Sequence, residues 1–340
     1  TDRYFSVAIM NAFTDNFFYA GTRATHGRGG TFWIVGPDWR GATPRGATLV
    51  RSDTNDVWML VRILIAGPHE LDHVRGLQDQ FRLDSPPGRG PVRPIVSRAV
   101  EGTDGAQVVN AANEILGRSH HLVGQATRWR TFARAGIRPS GPDSFGRLPA
   151  DLQAAWRANA PVSVPRLREF FMSGVRRING WGASTPVIGE FGDNDQIRAA
   201  VALSGLAALG SREAMYFSSL LDSNGDPLTP THTYRIRIPP EGVPVDGFWS
   251  ITMYAAEPDG RYFFTRNPIN RYSVSERTPG LIRRPDGAID IILSRTPVDP
   301  SMGNWLPTPD GPMRVSLRAY IPRAPIREGR WSPPSIEVLS

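Results

Sequence analysis

The chain has 340 residues, enough for two or three hydrophobic cores, and its 40% apolar and 21% charged content describes an ordinary globular protein. All 39 basic residues are arginine and cysteine is absent, which removes lysine Schiff-base and P-loop chemistry, thiol nucleophiles, thiolate-bound metals and disulfides. The formal charge of +7 arises from arginines scattered among acids, so no nucleic-acid partner is expected; no apolar run is long enough for a membrane-spanning helix.

Residues 1–66 read as an N-terminal β domain. Segments 3–10, 17–21, 31–35, 48–51 and 57–65 are β-branched or aromatic, punctuated by glycine and proline. The run from Val57 to Ile65 is almost continuously apolar and predicts a strand buried on both faces. Gly27 to Gly30 reads as a hairpin loop, since no helix follows to make it a phosphate cradle. The Arg3–Met10 strand is apolar on both faces, as an interior strand is, and needs neighbours for its backbone. The expectation is that this domain is incomplete at its start. A cleaved N-terminal fragment or a partner chain would supply the missing strands.

Gly67-Pro68 opens a mostly helical region, 67–214. Helices are predicted around Leu71–Phe81, over Gly105–Gly117 and over Ala126–Ala135. A further one is expected to start at Ser163 as N-cap, with Pro165 in its first turn, and another near Asp193. Residues 215–340 return to short alternating strands, which predict a jelly-roll-like β-sandwich. The fold class is thus mainly β with a helical insert.

The densest segment is Phe248 to Tyr272. A strand with Trp249, Ile251 and Met253 on one face is followed by Pro258-Asp259-Gly260 turn chemistry. A second aromatic strand and Asn267-Pro268-Ile269-Asn270-Arg271-Tyr272 complete it. Further along, Met313, Val315, Leu317 and Ala319 occupy one face of a strand, with Arg314, Ser316, Arg318 and Tyr320 on the other.

These landmarks form an ordered series. Arg3-Tyr4-x-Ser6-Val7, Thr14-Asp15, Gly21-Thr22-Arg23 and Gly36-Pro37-x-Trp39 come first. Asn179-Gly180-Trp181, Asp222-x-x-Gly225-x-Pro227-Leu228 and Phe248-Trp249-Ser250-x-Thr252-x-Tyr254 follow. Asn267 to Ser273, Pro285-Asp286-Gly287, Asn304-Trp305-Leu306-Pro307, Leu317-Arg318-x-Tyr320-x-Pro322 and Trp331-x-Pro333-Pro334 close it. The series resembles the bacterial two-domain family in which domain of unknown function 1254 is followed by domain of unknown function 1214. The resemblance covers nearly the whole chain and implies an N-terminal β domain, a helical insert and a jelly-roll-like C-terminal domain. It implies no activity. Family members usually carry more residues before the Arg3-Tyr4 strand.

Chemistry can be sought in two places. His69-Glu70-x-x-His73-x-x-Gly76-x-x-Asp79 has zinc-site spacing: the histidines share a helix face, Glu70 could act as general base and Asp79 could be a third ligand. Against it, the motif begins in a first turn, and the helix is amphipathic with these residues on its wet side. The other histidines, His26, His120, His121 and His232, read as surface or core residues, and Asp222, Asp226, Asp286 and Asp290 as turn residues.

Trp249, Tyr254, Asn267, Arg271, Tyr272, Asn304 and Trp305 form the candidate ligand surface, with broad rings beside directional amide and guanidinium donors. The same residues could instead fasten loops. The leading reading is a soluble protein binding a small molecule or glycan in a cleft of the C-terminal domain. The competing readings are a zinc-dependent hydrolase and a structural or assembly protein. Whether it is an enzyme is left open, no cofactor or metal is assigned, and a homo-oligomer is among the partners considered. A cysteine-free chain suits either redox environment; a periplasmic or secreted location is preferred over a cytoplasmic one.

Overall fold

The computed structural model describes residues 3–85, 94–98, 102–119, 126–258 and 260–339; the readings of His120, His121 and Asp259 fall outside them. The β-rich segments of the first 66 residues become β1 (Phe5–Asn11), β2 (Asn16–Gly21), β3 (Thr31–Val35), β4 (Ala47–Arg51) and β5 (Val57–Ile63). β1 is the middle of a three-stranded sheet, antiparallel to β2 on one side and β5 on the other. Its backbone groups therefore find partners within this chain. The argument for strands from a separate polypeptide, which rested on an unpaired β1, does not hold for this strand.

Two other expectations need correction. β5 is a sheet edge rather than a strand covered on both faces, with Val57 40% and Trp58 46% exposed. Its β-branched and aromatic residues satisfy strand propensity without being buried, and the two are hard to separate by sequence. Gly27 to Gly30 does not close a hairpin, because β2 and β3 belong to different sheets and β3 pairs in parallel with β4.

The helical region contains α1 (Leu71–Gln78), α2 (Gly105–Arg118), α3 (Ala126–Arg134), α4 (Ala150–Ser173) and α5 (Asp195–Gly205). α2 begins where the Asp104 carboxylate accepts the Ala106 and Gln107 amide protons. α4 starts well before Ser163 and runs through Pro161 and Pro165. The Ser163 hydroxyl donates to the Asn159 carbonyl at 2.8 Å instead of capping a new helix. Each proline deletes one backbone donor, but Arg157 and Pro161, whose carbonyls lose their partners, are exposed and can be hydrated.

β6 (Arg177–Ile178) and β7 (Trp181–Ala183) lie inside the stretch read as helical and join the sheet of the C-terminal domain. The remaining strands are β8 (Ala214–Ser219), β9 (Tyr234–Ile238), β10 (Trp249–Ala256), β11 (Tyr262–Phe263), β12 (Ser273–Val274), β13 (Ile289–Ser294), β14 (Asn304–Pro307), β15 (Met313–Tyr320) and β16 (Ile336–Val338). One sheet runs β11-β10-β15-β8-β7-β6, with β12 also on β10; the other runs β14-β13-β9-β16. Alternate residues of both meet in one core that includes Phe217, Ile236, Ile251, Ile291, Val315 and Leu317. The predicted two-layer packing is present. The smaller sheet is mixed, since β13 and β14 run parallel.

The N-terminal sheet and the C-terminal domain meet at Tyr4. Its ring lies 5.3 Å from Phe248 and 5.1 Å from Tyr320, which stack on each other at 4.1 Å. Its hydroxyl donates to Glu213 Oε1 at 3.0 Å, while Arg23 Nε donates to Oε2 at 2.5 Å. Burial, reinforced by Glu213, pushes the Tyr4 hydroxyl far above its ordinary range, so it remains a neutral donor. Glu213 is 2% exposed, so losing this donor leaves buried carboxylate capacity unfilled. Tyr4→Phe should lower stability by about 1.5–3 kcal/mol, the usual worth of a hydrogen bond to a charged group, as measured by urea unfolding. An unchanged midpoint would mean that this link does not join the two regions energetically.

Candidate ligand-binding surface

The seven residues singled out by sequence divide into core, loop fastening and open surface. Trp249 is 3% exposed and belongs to the sandwich core. Asn304 is 4% exposed; its amide donates to the Ile282 and Asp290 carbonyls, and its oxygen accepts the Ile282 amide proton. Neither is available to a ligand, because every strand has two faces and these side chains point to the inner one. Asn267 closes its own loop, donating to the Arg271 carbonyl at 3.0 Å and accepting the Arg271 amide proton at 3.0 Å. Arg271 donates to the Trp305 carbonyl at 2.9 Å, and the Trp305 indole donates to the Ser294 carbonyl at 2.9 Å.

Tyr254 and Tyr272 remain on the surface, and the structure joins them through Phe264. The ring centroids are 5.1 Å apart for Tyr254–Phe264 and 5.0 Å for Phe264–Tyr272, both stacked. Phe264 is 56% exposed. Beside this row lies a small open depression, lined by Met253, Thr265, Asn267, Arg271, Tyr272 and Thr308 among others. Thr308 Oγ1 is buried there without a hydrogen-bond partner among the described residues.

Phe264 and Thr308 were not singled out by sequence. Phe264 sits in a visible aromatic cluster, so a signal existed; nothing local marks Thr308. Arg314 and Arg318 were also passed over, although the alternation of β15 assigns both to the face opposite the core. Arg314 lies over the Tyr262 ring at 3.8 Å and within 5.5 Å of Tyr254. Arg318 donates to Thr252 Oγ1 at 3.0 Å and to the Tyr254 hydroxyl at 2.5 Å.

The carboxylates read as turn residues also separate. Asp222 accepts the Asn224 and Asp226 amide protons, as an Asx turn requires. Asp290 does not fit: it is 1% exposed and accepts from Arg237 at 3.1 Å and Arg284 at 2.6 Å. It is the buried acid between two arginines.

The zinc motif loses its base. Glu70 takes both ends of the Arg3 guanidinium, at 2.7 and 3.0 Å, and also accepts the Ala66 amide proton. His69 falls in a single 3-10 turn, Pro68–Glu70, ahead of α1. No group of three histidine or carboxylate side chains among the described residues is placed to hold a metal.

Comparison with known proteins agrees with the architecture. Residues 1–85 match the family model "Protein of unknown function (DUF1254)" and residues 213–324 match "Protein of unknown function (DUF1214)". The chain has this two-domain arrangement. The DUF1254 region carries the three-stranded sheet and α1, and the DUF1214 region carries β8 to β15 together with Glu213. The crystal structure of the VPA0106 protein from Vibrio parahaemolyticus is similar over all of this chain and 83% of its own, at 23% identity and a TM-score of 0.70. An uncharacterised protein from Burkholderia cenocepacia aligns over 99% of this chain and 69% of its own, at 13% identity and a TM-score of 0.46. No curated protein matches.

The Arg3–Glu70 contact has a pH signature. The Arg3 hydrogen bonds, then the Ala66 amide, hold Glu70 down at about 2, below its ordinary 4.5. A depressed carboxylate contributes stability that is complete above about 4.5 and lost as pH falls towards about 2. Arg3→Gln should flatten stability across that window relative to the parent protein, measured by chemical unfolding at several pH values. Equal slopes for the two proteins would contradict the pairing.

Proposed function

We propose that the protein binds a small molecule or a short glycan on the outer surface of its DUF1214 region. The observation that carries this reading is the row Tyr254–Phe264–Tyr272, whose central ring is 56% exposed beside a polar depression. Stacked rings left open to water offer a flat apolar platform of the kind that sugar faces and planar ligands cover. The depression adds polar edges at one end, those of Thr265, Asn267 and Arg271. Arg271 gives Nη1 to the Trp305 carbonyl and keeps further guanidinium donors, whereas the Asn267 amide is spent on the Thr265 and Arg271 carbonyls.

The test is a titration of neutral oligosaccharides and of planar aromatic molecules, followed by intrinsic fluorescence. At least one class should bind, and Phe264→Ala should weaken that binding about tenfold, since the loss of one stacked ring is worth on the order of 1 kcal/mol. The exposed position of Phe264 means its removal should scarcely change the unfolding temperature. Absence of binding in both classes, or binding untouched by Phe264→Ala, would refute the reading.

A further inference from the structure

Elsewhere in this protein an arginine drawn into the structure meets a carboxylate. Arg3 pairs with Glu70, Arg23 with Glu213, Arg198 with Asp15, and Arg237 and Arg284 with Asp290. Around the Tyr254–Phe264–Tyr272 row that pattern stops. Arg314 and Arg318 at one end, and Arg266 and Arg271 at the other, have no carboxylate partner among the described residues.

Arg314 and Arg318 stand four residues apart on β15, so both project from the same face of the strand. Their guanidinium carbons lie 5.5 and 5.4 Å from the centroid of the Tyr254 ring, and Arg318 donates to the Tyr254 hydroxyl at 2.5 Å. That ring stacks on Phe264 at 5.1 Å, so both charges sit one ring away from the exposed centre of the row. Arg314 makes no hydrogen bond among the described residues, and its Nε is buried without a partner. At the other end, Tyr272 stacks on Phe264 at 5.0 Å and lines the small depression together with Arg266 and Arg271. No carboxylate is among the residues that line it. Arg266 is exposed and hydrogen-bonds to none of the described residues, while Arg271 commits only Nη1, to the Trp305 carbonyl.

A guanidinium laid against a ring keeps its full charge and its outward donors. Unmatched guanidinium groups at both ends of an apolar platform set a positive potential over it, and their planar forks match the paired oxygens of a carboxylate. We propose that the ligand of this surface is acidic: a flat apolar body that lies on Phe264 and carries carboxylates towards the flanking arginines. This charge assignment rests on the reading of the row as a binding surface and adds the chemical class of what it holds. A short uronic-acid oligosaccharide and an aromatic acid share that chemistry. Arginines at both ends favour the oligosaccharide, because its successive sugar units each present a carboxylate, whereas an aromatic monoacid engages one end only.

The experiment is calorimetric titration of the full chain with trigalacturonate, with its fully methyl-esterified form, which keeps the body and removes the charge, and with 4-hydroxybenzoate. At low ionic strength trigalacturonate should bind about tenfold more tightly than the ester. Sodium chloride at about 0.5 M should remove most of that difference, because it screens the charges and leaves the stacking. Tighter binding of 4-hydroxybenzoate than of trigalacturonate would support an acidic ligand and assign it to aromatic acids. Arg266→Gln alters an exposed side chain with no role in folding, and should weaken trigalacturonate roughly threefold while leaving the ester unchanged. Arg314→Met should act in the same direction and more strongly, and Arg323→Met, at an exposed pair with Asp246, should change neither ligand.

Two failures are distinguishable. Equal binding of acid and ester, both weakened by Phe264→Ala, would leave a surface for neutral ligands and overturn the acidic one. So would binding of the acid that neither Arg266→Gln nor Arg314→Met weakens. Absence of binding by all three compounds, or binding that Phe264→Ala leaves untouched, would overturn the surface itself and the acidic ligand with it.

Discussion

Strand β15 lies inside the larger sheet, paired over Met313–Ala319 with β10 on one side and over Val315–Tyr320 with β8 on the other. Because successive side chains alternate, this single strand serves two layers at once. Met313, Val315, Leu317 and Ala319 point inward and are almost wholly buried against the smaller sheet. The same register sends Arg314, Ser316, Arg318 and Tyr320 to the opposite face. A one-residue slip would place guanidinium groups in the core, so the register is strongly fixed. The outer face is also covered in part: Ser316 is 5% and Thr252 is 4% exposed. The arginines of β15 therefore lie where water is restricted, without being part of an apolar core.

The DUF1254 region contributes to that cover through a polar junction. Tyr4, Arg23 and Glu213 satisfy one another, while the rings of Tyr4, Phe248 and Tyr320 pack together around them. Nearby, the Tyr19 hydroxyl accepts the Gly210 amide proton and the Tyr216 hydroxyl accepts that of Leu209. Burial raises Tyr19 to about 12 and shifts Tyr216 upward as well, so both stay neutral at any ordinary pH. Tyrosine is thus used here as an uncharged hydrogen-bonding wall. The Glu213 carboxylate in this junction is met by Arg23, while Arg314 and Arg318 of β15 have no carboxylate partner among the described residues.

Much of the fold was legible in the sequence because it obeys local rules. Period-two alternation located β1, β9, β13 and β15, and helical periodicity located α2. The failures came from features that local rules cannot separate. Ser163 and Pro165 resemble a helix start, yet a long exposed helix runs through them. Val57 and Trp58 have the composition of a buried strand and lie on an edge. At the site, the density of aromatic and amide groups between Trp249 and Trp305 was visible, but not which members face inward. Trp249 and Asn304 fill the interior, whereas Tyr254 and Tyr272 reach the surface. Alternation along β15 put Arg314 and Arg318 on one face, and both guanidinium groups lie over the Tyr254 ring.

The most direct test of the aromatic ligand surface is crystallographic. Crystals soaked in turn with a short neutral oligosaccharide and with a brominated planar aromatic molecule would locate a ligand and its orientation. The account predicts density for one of them lying over the exposed Phe264 ring, within reach of the Tyr254–Phe264–Tyr272 row. A row left bare at saturating concentrations of both, or density bound only elsewhere, would contradict it.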